Sequence, residues 1–174
     1  MGGGSFCKLL KLEKRVALTH RLINTEDFKT LVHFFEQNNK HEITRQFTAF
    51  PLTSDTAYKI ACTDHMDRYY FACWHEHTIA LLMLRGWDQG FEIPSFGILV
   101  DHHYRGFGLG RQITEFGISE ARNLGCQSIR LSVYASNVHA VRLYLFLGFQ
   151  EIIRESCICA GERDEKIIML KNLR

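Results

Sequence analysis

The stretch from Phe96 to Arg111 constrains the fold more than any other part of this chain. A strand-like run, Phe96 to Val100, feeds the loop Asp101-His102-His103-Tyr104-Arg105, after which glycines fall at every second position: Gly106, Gly108 and Gly110. An amphipathic helix begins at once. Glycine lets the backbone take positive φ and lets a ligand approach closely. The first turn of a helix carries unpaired N–H groups at the positive end of its dipole. Together these make a cradle for a phosphate or pyrophosphate. Arg105 and Arg111 flank it and offer charge-assisted donors.

The elements around this unit follow from periodicity. Arg15 to Ile23 reads as a strand, and Asn24 or Thr25 caps a helix with Phe28, Leu31, Val32 and Phe35 at helical spacing. A polar, irregular stretch, Glu42 to Pro51, precedes a second helix carrying Ala57, Ile60 and Ala61. Tyr69 to Trp74 and Thr78 to Leu84 form a hairpin about His75-Glu76-His77, and Phe91 to Val100 is the next strand, interrupted by Pro94 and Gly97. The helix after the glycines carries Leu109, Ile113, Phe116, Ala121 and Leu124 on one side and stops at Gly125. Ser128 to Tyr134 alternates as a strand. A short helix with Ala140, Val141, Leu143, Tyr144 and Leu147 ends at Gly148, and the strands Phe149 to Cys157 and Lys166 to Leu170 close the chain. The order β-α-α-β-β-β-α-β-α-β-β predicts a single α/β (α+β) domain on a mixed central sheet over residues 15–174. Residues 1–14, opening Gly2-Gly3-Gly4-Ser5, are read as a flexible N-terminus, either native or in part a cloning remnant.

With 174 residues, 46% hydrophobic and 23% charged, the chain has material for one core. A net charge of +2 argues against nucleic acid or an anionic membrane as the main partner. No apolar run reaches the roughly 20 residues of a membrane span. No signal peptide is visible, so a cytoplasmic protein with reduced thiols is expected. Cys157-Ile158-Cys159 has the form of a metal half-site but lacks a second pair, and His75 and His77 read as solvated turn residues, so no metal is expected.

The order of elements, with Arg105-Gly106-Phe107-Gly108-Leu109-Gly110 at the turn into the central helix, resembles the GNAT superfamily of acetyl-CoA-dependent N-acetyltransferases. Arg105, Gly108 and Gly110 match the fixed positions of that family's phosphate loop. Asn137, Ala140, Leu143 and Tyr144 match its second signature, and Gly148-Phe149 matches the Gly-Phe that closes the helix. A dinucleotide-binding domain would instead place its glycine loop after the first strand.

The resemblance implies acetyl-CoA as co-substrate. Backbone N–H groups of Phe107, Gly108, Leu109, Gly110 and Arg111 would bind the pyrophosphate. The strand through Ile98, Leu99 and Val100 would hydrogen-bond the pantetheine arm as if it were another strand. The strand Ser128 to Tyr134 would splay away to admit thioester and amine. A strand N–H near Leu99 or Val100 would stabilise the transition-state oxyanion, Tyr144 would protonate the leaving thiolate, and Asn137 would hold the cofactor arm or act only as a helix cap. The position of the glutamate that many relatives use as base falls near Pro94. Glu92, two residues earlier, is the candidate base, and a water-relayed path with no single base is the alternative. His102 and His103 in the loop are further candidates for that role, or are simply solvated.

The implied activity is acetyl transfer to a primary amine of a small molecule, by direct attack in a ternary complex. The segment Leu84 to Gly97 is similar to GNAT proteins of cell-surface sugar pathways, which points to a nucleotide-linked amino sugar. Asp88, Gln89 and Glu92 suit a sugar or a cationic amine equally, and Trp87 and Phe91 are candidate walls of an acceptor pocket. Peptide or protein amines, lysine, polyamines and aminoglycosides stay open as acceptors. So does a non-catalytic acetyl-CoA sensor. A homodimer through the C-terminal strands or a sheet edge is the assembly to test.

Overall fold

The computed structural model describes residues 17–174, so the expected N-terminal segment 1–14 and the start of the first strand lie outside the described residues. The described strands form one mixed sheet. They are β1 (Thr19–Leu22), β2 (Arg68–Trp74), β3 (His77–Arg85), β4 (Ser95–Val100), β5 (Ser128–Tyr134), β6 (Gln150–Cys159) and β7 (Glu162–Asn172), in the spatial order β1-β2-β3-β4-β5-β7-β6. The helices are α1 (Phe28–Asn38), α2 (His41–Thr44), α3 (Ser54–Cys62), α4 (Leu109–Asn123) and α5 (Val138–Phe146). The expected α/β order holds, with one addition. The stretch read as irregular contains the single turn α2, whose Ile43 is buried.

Two apolar layers cover the two faces of the sheet. On one, Leu31, Phe34 and Phe35 of α1 and Ala57, Ile60 and Ala61 of α3 pack against Phe71, Leu81, Met83 and Leu99. On the other, Leu109, Ile113, Ile118 and Ala121 of α4 pack against Leu82, Phe96, Ile129 and Leu131. Alternating side chains along each strand make both layers possible. The inward face of α4 departs from the expected one: Ile118 is buried, whereas Leu124 is exposed beyond the last full turn. Gly117 lets α4 lie close to the sheet, because a Cβ there would stand 2.5 Å from the Phe96 ring.

β4 is shorter than the sequence suggested. It begins at Ser95, because Phe91 to Pro94 is a bend and Pro94 brings no N–H to a ladder. β4 pairs antiparallel with β3 along its whole length, Ser95 opposite Arg85 through Val100 opposite Ala80. It meets β5, its parallel neighbour, at the single pair Ser95–Arg130. The two strands then diverge, and the edge of β4 from Gly97 to Val100 faces a cleft.

Candidate active site

Two cavities open along that divergence. One, of about 770 Å³, runs from Ile98, Leu99 and Val100 to Arg105, Gly106, Gly108 and Gly110. The other, of about 460 Å³, lies between Ser95, Phe96 and Gly97 on β4 and Arg130 to Val133 on β5. Six residues line both: Gln46, Phe47, Ile98, Asn137, Ala140 and Tyr144. The cavities therefore meet at the mouth of the splay, under α5.

The phosphate-cradle geometry is built from the loop upward. Gly106 and Gly108 hold φ of +84° and +74°, a region that side-chain-bearing residues rarely occupy. Gly108 is the N-cap of α4, no side chain caps that helix, and no acidic residue stands in its first turn. Gly110 is already helical and sits where a Cβ would touch Leu143 of α5. The N–H of Arg111 is taken by the Gly108 carbonyl at 3.2 Å, so the donors left at this turn come from Phe107 to Gly110 rather than reaching Arg111. The Arg111 side chain pairs with Glu115 at 2.8 Å, and its guanidinium lies 4.7 Å from the Phe146 ring centroid, tying α4 to α5. Arg105 folds back to donate to the Val100 carbonyl at 3.3 Å. An anion of pyrophosphate size suits this uncapped turn, and an extended arm suits the open β4 edge beside it.

The entry to the loop is clamped from α1, which sequence reading did not anticipate. Asp101 is 2% exposed and accepts from Asn38 Nδ2 at 3.0 Å and from the His103 N–H at 2.8 Å. Asn38 Oδ1 in turn accepts the His102 N–H at 3.1 Å. His102 and His103 are drawn into this cluster, His103 onto Asp101 at 3.0 Å and His102 onto Lys40 at 2.8 Å, and neither lines either of these two cavities.

Tyr144 is 7% exposed, edge-on to Phe96 and Phe149, at the junction of the cavities. Burial pushes its phenol far above the ordinary range, so it stays protonated at neutral pH. Asn137 accepts the Ala140 N–H at 3.3 Å as the N-cap of α5 while lining both cavities, so capping and facing the cleft are not exclusive. Glu92 is not on a strand face as expected. It is exposed in the bend before β4 and lines neither cavity. Trp87 packs on the α4-side core instead of the cleft, Phe91 does line it, and Asp88 is spent accepting the Met66 N–H at 2.7 Å.

Sequence reading also passed over Gln46 and Phe47, which cover the junction from the loop after α2, and Arg85, Arg130 and Lys166 in the smaller cavity. The clustered aromatics Phe47 and Phe50, 5.2 Å apart, were the available signal that this loop is packed rather than free.

A β4-α4-β5 crossover, a glycine turn into the central helix and a parallel pair that splays define an acetyltransferase-type fold. The profile of the acetyltransferase (GNAT) family matches residues 31–149, and the chain belongs to that family. One solved structure of this fold, an acetyltransferase of Salmonella typhimurium, holds acetyl-CoA as its cofactor. The spermidine N-acetyltransferase of Vibrio cholerae, solved with CoA and spermine, superposes with a TM-score of 0.77 at 21% identity, covering 90% of this chain and 95% of that one. The ribosomal-protein-S18-alanine N-acetyltransferase of Escherichia coli superposes with a TM-score of 0.71 at 23% identity, covering 90% and 94%. By sequence, the chain is 40% identical over 80 residues to the Escherichia coli K12 bS18-alanine N-acetyltransferase, 45% of this chain and 54% of that protein. It is 40% identical over 52 residues to the Bacillus subtilis spermine/spermidine N(1)-acetyltransferase, 29% of this chain and 34% of that protein. The matched segments thus span between a third and about half of those relatives.

Proposed function

We propose that the protein transfers an acetyl group from acetyl-CoA to a primary amine of a small molecule by direct attack in a ternary complex. The observation that carries this reading is the junction: a phosphate-cradle trough and a second, polar cavity meet at Tyr144, where β4 and β5 part. A sensor of acetyl-CoA would need the trough alone.

In this reading the main chain of Phe107 to Gly110 grips the pyrophosphate, and the open edge of Ile98 to Val100 aligns the pantetheine arm. A β4 N–H near Leu99 or Val100 stabilises the oxyanion, worth roughly 3 kcal/mol for one well-placed donor. The Tyr144 phenol donates to the sulfur as the C–S bond breaks. Its burial disfavours a lasting tyrosinate, so the proton lent to the thiolate is regained as the attacking nitrogen gives one up. Among the described residues no carboxylate or histidine lines the acceptor cavity. The acceptor ammonium therefore sheds its first proton through water before attack, the second being the one that restores Tyr144, and Glu92 has no part in this account. Asn137 holds the first turn of α5, and with it Tyr144.

An amino sugar linked to a nucleotide is the acceptor we favour, since Gln46, Thr48, Gln89 and Ser132 line the smaller cavity with hydrogen-bonding groups. A protein N-terminus, as in the bS18 relatives, is the second reading. A cytoplasmic setting fits the five described cysteines, all free thiols. No described helix is long and apolar enough to cross a membrane. A homodimer through the open edge of β6, with Ile152, Ile153 and Ile158 exposed, belongs to the same proposal and is tested by light scattering. The transferase reading is tested by release of CoA thiol from acetyl-CoA over a panel of amines. Amine-dependent release that saturates is expected. Tight acetyl-CoA binding without amine-dependent release means a sensor.

A further inference from the structure

The charges lining the smaller cavity are all of one sign. Arg85, Arg130 and Lys166 contribute to its walls, and among the described residues no aspartate or glutamate does. The three cations are not equivalent. Arg85 is committed: it donates to the Ala49 carbonyl at 2.8 Å, and its Nε lies 3.9 Å from the buried Asp67 carboxylate. Arg130 spends only its Nε, on Ser95 Oγ at 3.0 Å, and its guanidinium lies over the Phe91 ring at 4.9 Å. Its own N–H donates to the Pro94 carbonyl at 3.1 Å, which pins its backbone at the vertex of the splay. No ion pair within 4.0 Å engages Arg130 or Lys166 among the described residues. Glu155 stands opposite Lys166 in the β6–β7 ladder but is exposed and outside the cavity.

A guanidinium braced on one edge by a hydroxyl and on one face by an aromatic ring presents its remaining N–H groups in a fixed fork, the geometry that matches a carboxylate or phosphate. A polyamine acceptor has the opposite requirement. Its several ammonium groups need carboxylates, and like charge in a partly desolvated cleft is repelled. The names of the polyamine-acetylating relatives therefore do not transfer to this cavity.

We propose that the acceptor amine belongs to a molecule bearing a carboxylate or phosphate, and that Arg130, assisted by Lys166, reads that anionic group and thereby selects against polyamines. This rests on the transferase reading and on the smaller cavity as the acceptor side. Arg130 is a specificity residue here and takes no part in the chemical step.

The test compares matched acceptors on wild type, Arg130→Gln, Arg130→Lys and Lys166→Ala. The acceptors are glucosamine against glucosamine 6-phosphate, alaninamide against alanine, and spermine. Wild type should favour the anionic member of a pair. Arg130→Gln should raise its KM by about tenfold or more, the scale of a lost charge-assisted hydrogen bond, and raise the KM of the neutral member by a clearly smaller factor, so that the preference within the pair falls. Arg130→Lys should recover part of the loss. The phosphate and carboxylate pairs tell which anion is read. If no acceptor turns over, calorimetric titration of glucosamine 6-phosphate and alanine into the CoA-saturated enzyme decides: binding by wild type lost in Arg130→Gln supports the proposal. Spermine as the best acceptor overturns it, and so does an anion preference or anion binding that Arg130→Gln leaves unchanged, or the absence of both in wild type. Acetyl-CoA that does not bind at all instead overturns the transferase reading.

Discussion

Ser95 and Arg130 are the one residue pair at which β4 and β5 meet in parallel register, and the Arg130 Nε–Ser95 Oγ hydrogen bond of 3.0 Å closes the same point with side chains. The cleft is the consequence. β4 stays in ladder with β3 while β5 follows β7 from Ser128–Asn172 to Tyr134–Lys166. The sheet thus remains fully paired on both outer sides of the opening, which lets the gap persist without unravelling the strands that border it.

Gly108→Asp should abolish acetyl-CoA binding. At φ of +74° the new residue is strained, and its carboxylate stands at the uncapped start of α4 where the phosphates would lie. Nothing lies within 4 Å of the added Cβ, so the fold should persist. Calorimetry should show an affinity loss of about a hundredfold or more, near 3 kcal/mol, with a native circular dichroism spectrum. Unchanged affinity would remove the loop from the site.

Tyr144→Phe should lower kcat by about a hundredfold, the lower end of the range for a positioned acid, and change acetyl-CoA affinity little. Burial raises the phenol, so it is protonated both at pH 7 and at pH 9. The rate loss should therefore be the same factor at the two pH values. A loss that fades at pH 9 would mean that the wild-type phenol ionises below that point.

Asn38→Ala should weaken both the fold and the trough. The amide bridges Phe34 and Asp101 through Nδ2, at 2.9 and 3.0 Å, and holds the His102 N–H through Oδ1. Removing one partner of a buried polar group costs about 1–3 kcal/mol. Urea unfolding should show that loss, and the KM for acetyl-CoA should rise, because the clamp sets the start of the loop. A stability loss with unaltered KM would make Asn38 purely structural.

Gly117→Ala should destabilise by about 1–3 kcal/mol, the cost of overpacking, because its Cβ would press to 2.5 Å from the Phe96 ring and 3.0 Å from Leu82. The Phe96 ring cannot retreat without disturbing Tyr144, which packs edge-on against it. Thermal unfolding measures the first effect and kcat the second. A neutral substitution on both would show that α4 rides less closely on the sheet.

What the sequence disclosed and what it hid follow different physics. Helix faces with one-sided apolar spacing, such as Ala57, Ile60 and Ala61 on α3, are legible because burial and periodicity coincide. Phe34, Asn38 and Gly117 were missed because each is buried for a contact made across the fold: Phe34 against Phe71, Asn38 for Asp101, Gly117 for Phe96. The glycine loop was legible as a local motif. The cation-lined cavity was not, because Arg85, Arg130 and Lys166 stand on β3, β5 and β7, and only the sheet order brings them to one wall. Glu92 misled because regular alternation was carried back through Pro94, where the strand has already ended.

The central claim is that the turn from Gly106 to Gly110 and the open edge of β4 together hold acetyl-CoA. A crystal structure of the protein with CoA tests it most directly. The account predicts the diphosphate within hydrogen-bonding distance of the main-chain N–H groups of residues 107–110, the pantetheine paired along Ile98 to Val100, and the sulfur beside the Tyr144 hydroxyl. A diphosphate bound elsewhere with that turn unliganded, or a pantetheine arm leaving the β4–β5 cleft, would contradict it.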